Sequence, residues 1–238
     1  MRRALDKARI NEGLLLYIPY REMTGQVVRD HAKPHHPLTG HNLTWASGPP
    51  ITPSDIGTAV FDGASTYIDS PAADTADLDF TTGDYSIAVW FYYQVTTMSQ
   101  ILIGRYGVDL DGWELYIYDP GLTLNLRHHH SSLAPAPVRS ACASGGWSTG
   151  AWHFAGISRS GAYPLHYRNG VPLEMIYDPV GGLSDPDSCN RDLVGGCRFT
   201  KDANWYSGYK APLRVWDRGL EGWEFRQLFE MERHWFGV

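Results

Sequence analysis

Asp109, Asp111 and Glu114 are the nearest set of acids in this 238-residue chain that could do chemistry. Asp109-Leu-Asp-Gly-Trp-Glu114 places two carboxylates and a glycine in a turn, resembling part of a calcium loop, because a hard cation takes oxygen ligands. The further ligand series of an EF-hand is missing. Solvated turn acids are therefore the plainer reading, and no metal or other cofactor is assigned. His128-His-His130 is the next cluster: on a strand His128 and His130 share a face where neutral imidazoles could take a transition metal. The plainer account is a partly exposed strand end. His31, His35, His36 and His41 lie in a Pro-rich stretch without the ligand spacing of a helix. Ser144-Gly-Gly-Trp147 lacks the strand-turn-helix context of a nucleophile elbow, and no phosphate-cradling Gly loop occurs.

Three cysteines are present, and Cys189 and Cys197 flank a loop short enough for a bridge. Reduced thiols fit them equally well. No Cys-x-x-Cys spacing points to structural zinc. Binding is better represented than catalysis. Trp113, Trp147, Trp205 and Tyr206 lie in or beside predicted turns, where an exposed indole offers an apolar face for a sugar ring and a hydrogen-bond donor. These four are the ligand-binding candidates; the alternative for them is rim packing.

The elements that must position these groups are strands. The chain holds 9 Trp, 14 Tyr, 8 Phe and 25 Gly with few charged residues, a balance suited to strands and turns. Leu122, Leu124 and Leu126 alternate with polar residues and form a hairpin with Trp113-Glu-Leu-Tyr-Ile-Tyr118 across Asp119-Pro-Gly121. Tyr85 to Tyr93 is apolar at nearly every position, as a central strand covered on both faces should be. Asn169-Gly170 supplies the positive φ of a tight hairpin turn. Residues 31–53 and 131–146 read as long loops, and a short amphipathic helix is predicted over 221–232, with Phe225, Leu228 and Phe229 at helical spacing.

A set of segments in a fixed order carries a family resemblance. They are Gly13-Leu-Leu-Leu-Tyr-Ile-Pro, Phe61-Asp-Gly63 with Tyr67-Ile68, Trp152-His-Phe-Ala-Gly-Ile, Tyr167-Arg-Asn-Gly-Val171, and Leu213-Arg-Val-Trp-Asp-Arg-Gly-Leu-Glu-Gly-Trp-Glu224. Together they resemble the LamG-like jelly-roll branch of the concanavalin A-like lectin/glucanase superfamily. The resemblance implies an all-β, two-sheet antiparallel jelly-roll sandwich with one short C-terminal helix. It covers residues 13–230, between an N-terminal arm of residues 1–12 and an aromatic tail of residues 231–238. Two departures narrow the expected function. Family enzymes that hydrolyse glucans carry a Glu-x-Asp-x-x-Glu strand, whose paired carboxylates lie about 5 Å apart for retaining hydrolysis. That triplet does not occur in this chain. Relatives also often hold structural calcium with an acid where this chain has Ala211, in Lys210-Ala-Pro212.

The net charge of −6 without a basic run excludes a nucleic-acid footprint, and the short apolar stretch Leu14–Ile18 is neither a signal nor a membrane span. The two ends read as assembly contacts: Arg2 and Arg3 in a basic head, Trp235 and Phe236 in the tail. This architecture resembles, more distantly, proteins that phages mount on their virions. The leading expectation is a non-enzymatic virion-associated protein, a capsid decoration or tail component. It would display a lectin-like face and contact a large protein assembly and further copies of itself. The alternative is a free carbohydrate-binding lectin, cytoplasmic or released without a visible signal peptide.

Overall fold

A computed structural model describes residues 9–47, 57–94, 99–118, 122–132, 138–144, 146–178 and 181–238. Its strands are β1 (Leu14–Ile18), β2 (Val27–Arg29), β3 (Pro37–His41), β4 (Thr44–Ser47), β5 (Gly57–Asp62) and β6 (Tyr67–Ser70). After a 3-10 segment at Ala72–Leu78 come β7 (Tyr85–Tyr93), β8 (Gln100–Gly107), β9 (Asp111–Tyr118), β10 (Thr123–His129), β11 (Val138–Ser144) and β12 (Trp152–Arg159). The chain then forms β13 (Leu165–Arg168), β14 (Val171–Pro172), β15 (Ile176–Asp178), β16 (Leu193–Gly195) and β17 (Ser207–Trp216), and closes with the helix α1 (Gly222–Phe236).

Two antiparallel sheets stack as a sandwich. The eight-stranded sheet runs β14-β13-β12-β7-β17-β5-β4, with β1 also paired to β17. The nine-stranded sheet runs β15-β11-β10-β9-β8-β16-β6-β3-β2. β17 is shared lengthwise, its first half pairing β5 and its second half β1, with an irregularity between Lys210 and Leu213.

Strand alternation explains the central apolar run. Tyr85, Ile87, Val89, Phe91 and Tyr93 enter the core between the sheets, against Trp113, Leu115 and Ile117 of β9. The intervening Ala88 and Trp90 face the other way, into a second core under α1 with Trp152, Phe154, Phe225, Leu228, Phe229 and Phe236. β7 is thus buried on both faces, as its composition implies. The Asn169-Gly170 turn also forms, with φ of 51° and 74°. Asp62 opens the Phe61-Asp-Gly63 turn by accepting from the Ser65 hydroxyl and from the N–H groups of Ser65, Ala64 and Thr66, bonds that hold its carboxyl well below the usual range despite partial desolvation.

Several expectations change. The supposed loop 31–53 contains β3 and β4, and 131–146 contains β11. Pro37 is tolerated because it is the first residue of its strand. Such short strands are fixed by their partners rather than by their own periodicity. The helix outruns residue 232 and ends at Phe236, so residues 231–236 are helical rather than a tail. Glu221 and Glu224 form its capping box, and Gly237, at φ 68°, supplies the left-handed cap. Residues 9–12 are tied down: Arg218 donates to the carbonyls of Arg9 and Glu12, and Trp216 Nε1 to that of Ile10. Cys189 and Cys197 are buried free thiols, pushed up to about 12 by burial, so the bridge does not form.

Candidate functional site

β8, β9 and β10 lie side by side in the nine-stranded sheet. Since Trp113, Leu115 and Ile117 fill the core, Glu114, Tyr116 and Tyr118 point outward. Likewise Leu124 and Leu126 face inward, and Arg127 and His129 outward. Arg127 stands directly opposite Glu114 in the register, and its Nη1 donates to Glu114 Oε1 at 3.1 Å. His129 Nε2 reaches the same oxygen at 3.1 Å. The Asp109 N–H donates to His129 Nδ1 at 3.3 Å, so the ring hydrogen is on Nε2 and is given to Glu114. Tyr106 stacks on His129 with ring centroids 5.1 Å apart and also bonds Glu114; burial first, then the nearby carboxylate, raise its phenol above the ordinary range.

Glu114 is therefore occupied by donors. Its work is to fix Arg127, which also lies 4.5 Å over the Tyr116 ring and bonds that residue's hydroxyl. Among the described residues lining the cleft above it, Glu114 is the one carboxylate, so a two-carboxylate hydrolytic pair is not assembled there.

The cleft holds about 260 Å³, just below the roughly 300–1,000 Å³ of small-molecule sites. Ser99, Arg198 and Asn204 form its far wall. That wall is built by a tight loop in which Arg198 N–H donates to Ala203 O and Lys201 N–H to Arg198 O. Asn204 Nδ2 donates to Ser99 O at 3.1 Å and Ile101 N–H to Asn204 O at 3.1 Å, pinning the loop to β8. Tyr118 also lines the cleft, with 45 % of its surface exposed. A wider groove of about 770 Å³ runs past Leu14, Tyr17, His31 and Lys33, but Arg214 already covers the Tyr17 ring at 4.4 Å.

Most of the aromatic candidates read from the sequence lie elsewhere. Trp113, Trp147 and Tyr206 are each 0 % exposed, which corrects the expectation of solvent-facing rings. Trp113 Nε1 donates to Leu78 O, Trp147 packs against Phe91 and His153, and the Tyr206 hydroxyl donates to Tyr92 O. Residues beside turns fold back into the core because a large ring loses more in water than the turn costs to close over it. Trp205 keeps a surface position, half-buried and 6.2 Å from Tyr67, which stacks on His41. Phe236 is buried against Trp90 and Trp152 at 4.1 and 4.7 Å, so it is an internal cap rather than a free assembly contact. Trp235 is half-buried under Arg21, and Arg2 and Arg3 lie outside the described residues. The missed residues are Tyr106, Tyr116, Tyr118, Arg127 and Arg198. The signal for two of them was the alternation of Tyr116 and Tyr118, with Glu114, against core residues on a single strand.

Residues 62–224 match the Laminin-G family model described as the concanavalin A-like lectin/glucanases superfamily. The chain belongs to this superfamily. Its sandwich resembles the binding domain of Paraclostridial Mosquitocidal Protein 1, at 15 % identity and a TM-score of 0.67, covering 93 % of this chain and 53 % of that one. It also resembles domain 4 of AbnA, an extracellular arabinanase from Geobacillus stearothermophilus solved with arabinotriose, at 18 % identity and 0.63, covering 90 % and 97 %. A botulinum neurotoxin type C structure, whose cell entry depends on two ganglioside molecules, aligns at 12 % identity and 0.63, covering 94 % and 52 %. The chain spans about half the length of the toxin domains it resembles. No curated protein matches it.

In this superfamily member the calcium-site stretch has a different use. Ala211 is buried, and Lys210 is buried with Nζ donating to Leu102 O at 2.7 Å beneath the Phe61 and Tyr206 rings. Burial lowers the Lys210 ammonium to about 7. The histidine run is also internal rather than a partly exposed strand end: His128, His129 and His130 are all buried. His128 Nδ1 donates to Ser184 O, leaving Nε2 to accept from Tyr85, and burial lowers it to about 3. Asp111 and Glu114 of the proposed calcium turn are engaged by Arg191 and Arg127. Among the described residues, no three His, Cys, Asp or Glu side chains are grouped to hold a metal.

Proposed function

We propose that this chain is a non-enzymatic lectin-like module that binds a glycan in the cleft over β8, β9 and β10. The observation carrying the reading is the presence of the exposed Tyr118 with two guanidiniums, Arg127 and Arg198, in one cleft. A ring face takes the apolar side of a sugar, and guanidinium donors take its oxygens. Arabinotriose in one structural neighbour and the ganglioside dependence of another support the same class of ligand. Calorimetric titration against a glycan panel tests it. Binding weakened by Tyr118→Ala with thermal stability unchanged supports the cleft; binding indifferent to that change sinks it.

A second reading, carriage on a virion or another large assembly, is favoured by the outward side of α1. There Trp223 and Met231 are exposed, with Arg9 5.1 Å over the Trp223 ring. Removing residues 231–238 would now strip Phe236 from the fold, so Trp223→Ala is the cleaner test. Loss of co-sedimentation with purified virions in that variant would support carriage, and unchanged co-sedimentation would count against this face.

A further inference from the structure

We infer that the cleft selects a sugar bearing a carboxylate over its neutral counterpart; this rests on the glycan-binding reading and goes beyond it. The charges in the cleft do not cancel. Two guanidiniums, Arg127 and Arg198, face one carboxylate, Glu114, although the whole chain carries −6. Glu114 is already matched by Arg127 at 3.1 Å. Arg198 has no carboxylate partner among the described residues; its guanidinium lies 5.7 Å over the Phe199 ring.

The backbone of Arg198 is held, and its guanidinium rests over Phe199. That backbone closes the tight 198–204 turn, which is pinned to β8 through Asn204. A fork of N–H donors presented in this way matches a planar carboxylate better than a ring hydroxyl. The exposed Tyr118 in the same cleft offers the stacking face for the rest of the sugar. A neutral sugar would leave the unpaired guanidinium facing only hydroxyls. A carboxylated sugar neutralises it, and Glu114, being fully engaged by Arg127, His129 and Tyr106, adds little repulsion.

Two matched pairs of probes separate the sources of such a sugar: 3′-sialyllactose against lactose, and trigalacturonate against galactotriose. Titration of the full chain is expected to give at least about tenfold tighter binding to one acidic member, the size of one charged hydrogen bond. Arg198→Gln should collapse the acidic-to-neutral affinity ratio to about one, the acidic sugar then binding no better than its neutral partner does to the same variant. Arg198→Lys should restore part of the difference, and added salt should erode it. Equal or tighter binding of both neutral members overturns the acidic preference and leaves the glycan cleft standing. Preference for an acidic member that survives Arg198→Gln overturns the assignment to Arg198. Binding of none of the four overturns both.

Discussion

Over the eight-stranded sheet, Ala88, Trp90, Trp152 and Phe154 lie under α1, where Phe225, Phe229 and Phe236 seal them from water. Over the nine-stranded sheet, Glu114, Tyr116 and His129 occupy the equivalent outward positions but are buried, no helix covers this face among the described residues, and Arg127 and Tyr118 are its groups that meet solvent. Both faces arise from the same alternation on strands whose other side is core. The difference is chemical. A broad aromatic face left in water is unfavourable and recruits a cover. A face whose charges are already hydrogen-bonded to one another tolerates solvent and can present donors to a ligand. The covered face serves stability, and the open one is free to bind.

The sealed face should respond most strongly. Glu232 is buried there, accepting from Trp90 Nε1 at 2.8 Å and from Arg214. Glu232→Ala leaves the Arg214 guanidinium buried without its partner, and we expect a loss of about 3–5 kcal/mol in urea denaturation. Glycan affinity of the folded fraction should not change. A loss below about 1 kcal/mol would mean that the helix is not an integral layer.

The next effect belongs to the interior and divides by pH. Burial lowers His128 and His166 to about 3, so the stability they contribute is full above their unfolded value near 6.5 and is lost as pH falls toward 3. Each can add a slope of up to about 1.4 kcal/mol per pH unit. His36 has the opposite sign. Burial acts to lower it, but hydrogen bonds to Asp30 and Asp77 overcome that and raise it to about 9. Its contribution is complete below about 6.5 and is lost as pH rises through 9. Stability should therefore decline as pH falls below about 6.5, whereas above it the loss from His36 is opposed by Lys210, whose lowered ammonium makes stability rise with pH above about 7. The His36 contribution is read as the difference between the parent and His36→Gln, which should shrink as pH rises from about 6.5 to 9.

On the open face, Tyr118→Ala should weaken glycan binding by about tenfold, as loss of an exposed aromatic anchor does, with stability changed by less than about 0.5 kcal/mol. The smallest effect is expected at Trp205, one residue beyond Asn204 in the wall but directed toward Tyr67. Trp205→Ala should change affinity by less than about threefold, the range of a peripheral contact. A larger loss there than at Tyr118 would move the site toward the His41 and Tyr67 cluster.

These two faces were unequally legible in the sequence. The ordered motifs gave the sandwich, and the unbroken apolar run Tyr85–Tyr93 gave a strand covered on both sides. The helix was visible from Phe225, Leu228 and Phe229, but its last turn was not, because Phe236 is bound by Trp90 and Trp152, more than 75 residues away in the chain. Searching for surface tryptophans beside turns found core residues, since Trp113 and Trp147 reveal their depth only when the sheets stack. The cleft needed the opposite search, for charged and phenolic residues between core residues on one strand. Its far wall could not be read at all: Arg198 and Asn204 reach β8 through a loop whose turns depend on positive φ at Lys201 and Asn204.

The most direct test is a heteronuclear NMR titration of the full chain with whichever glycan of the matched pairs binds best. We expect the shifts to gather at Tyr116, Tyr118, Arg127 and Arg198, with Trp90, Phe229 and Phe236 silent. Shifts confined to α1, or to the groove around Tyr17, His31 and Lys33, would contradict the assignment of binding to the open face.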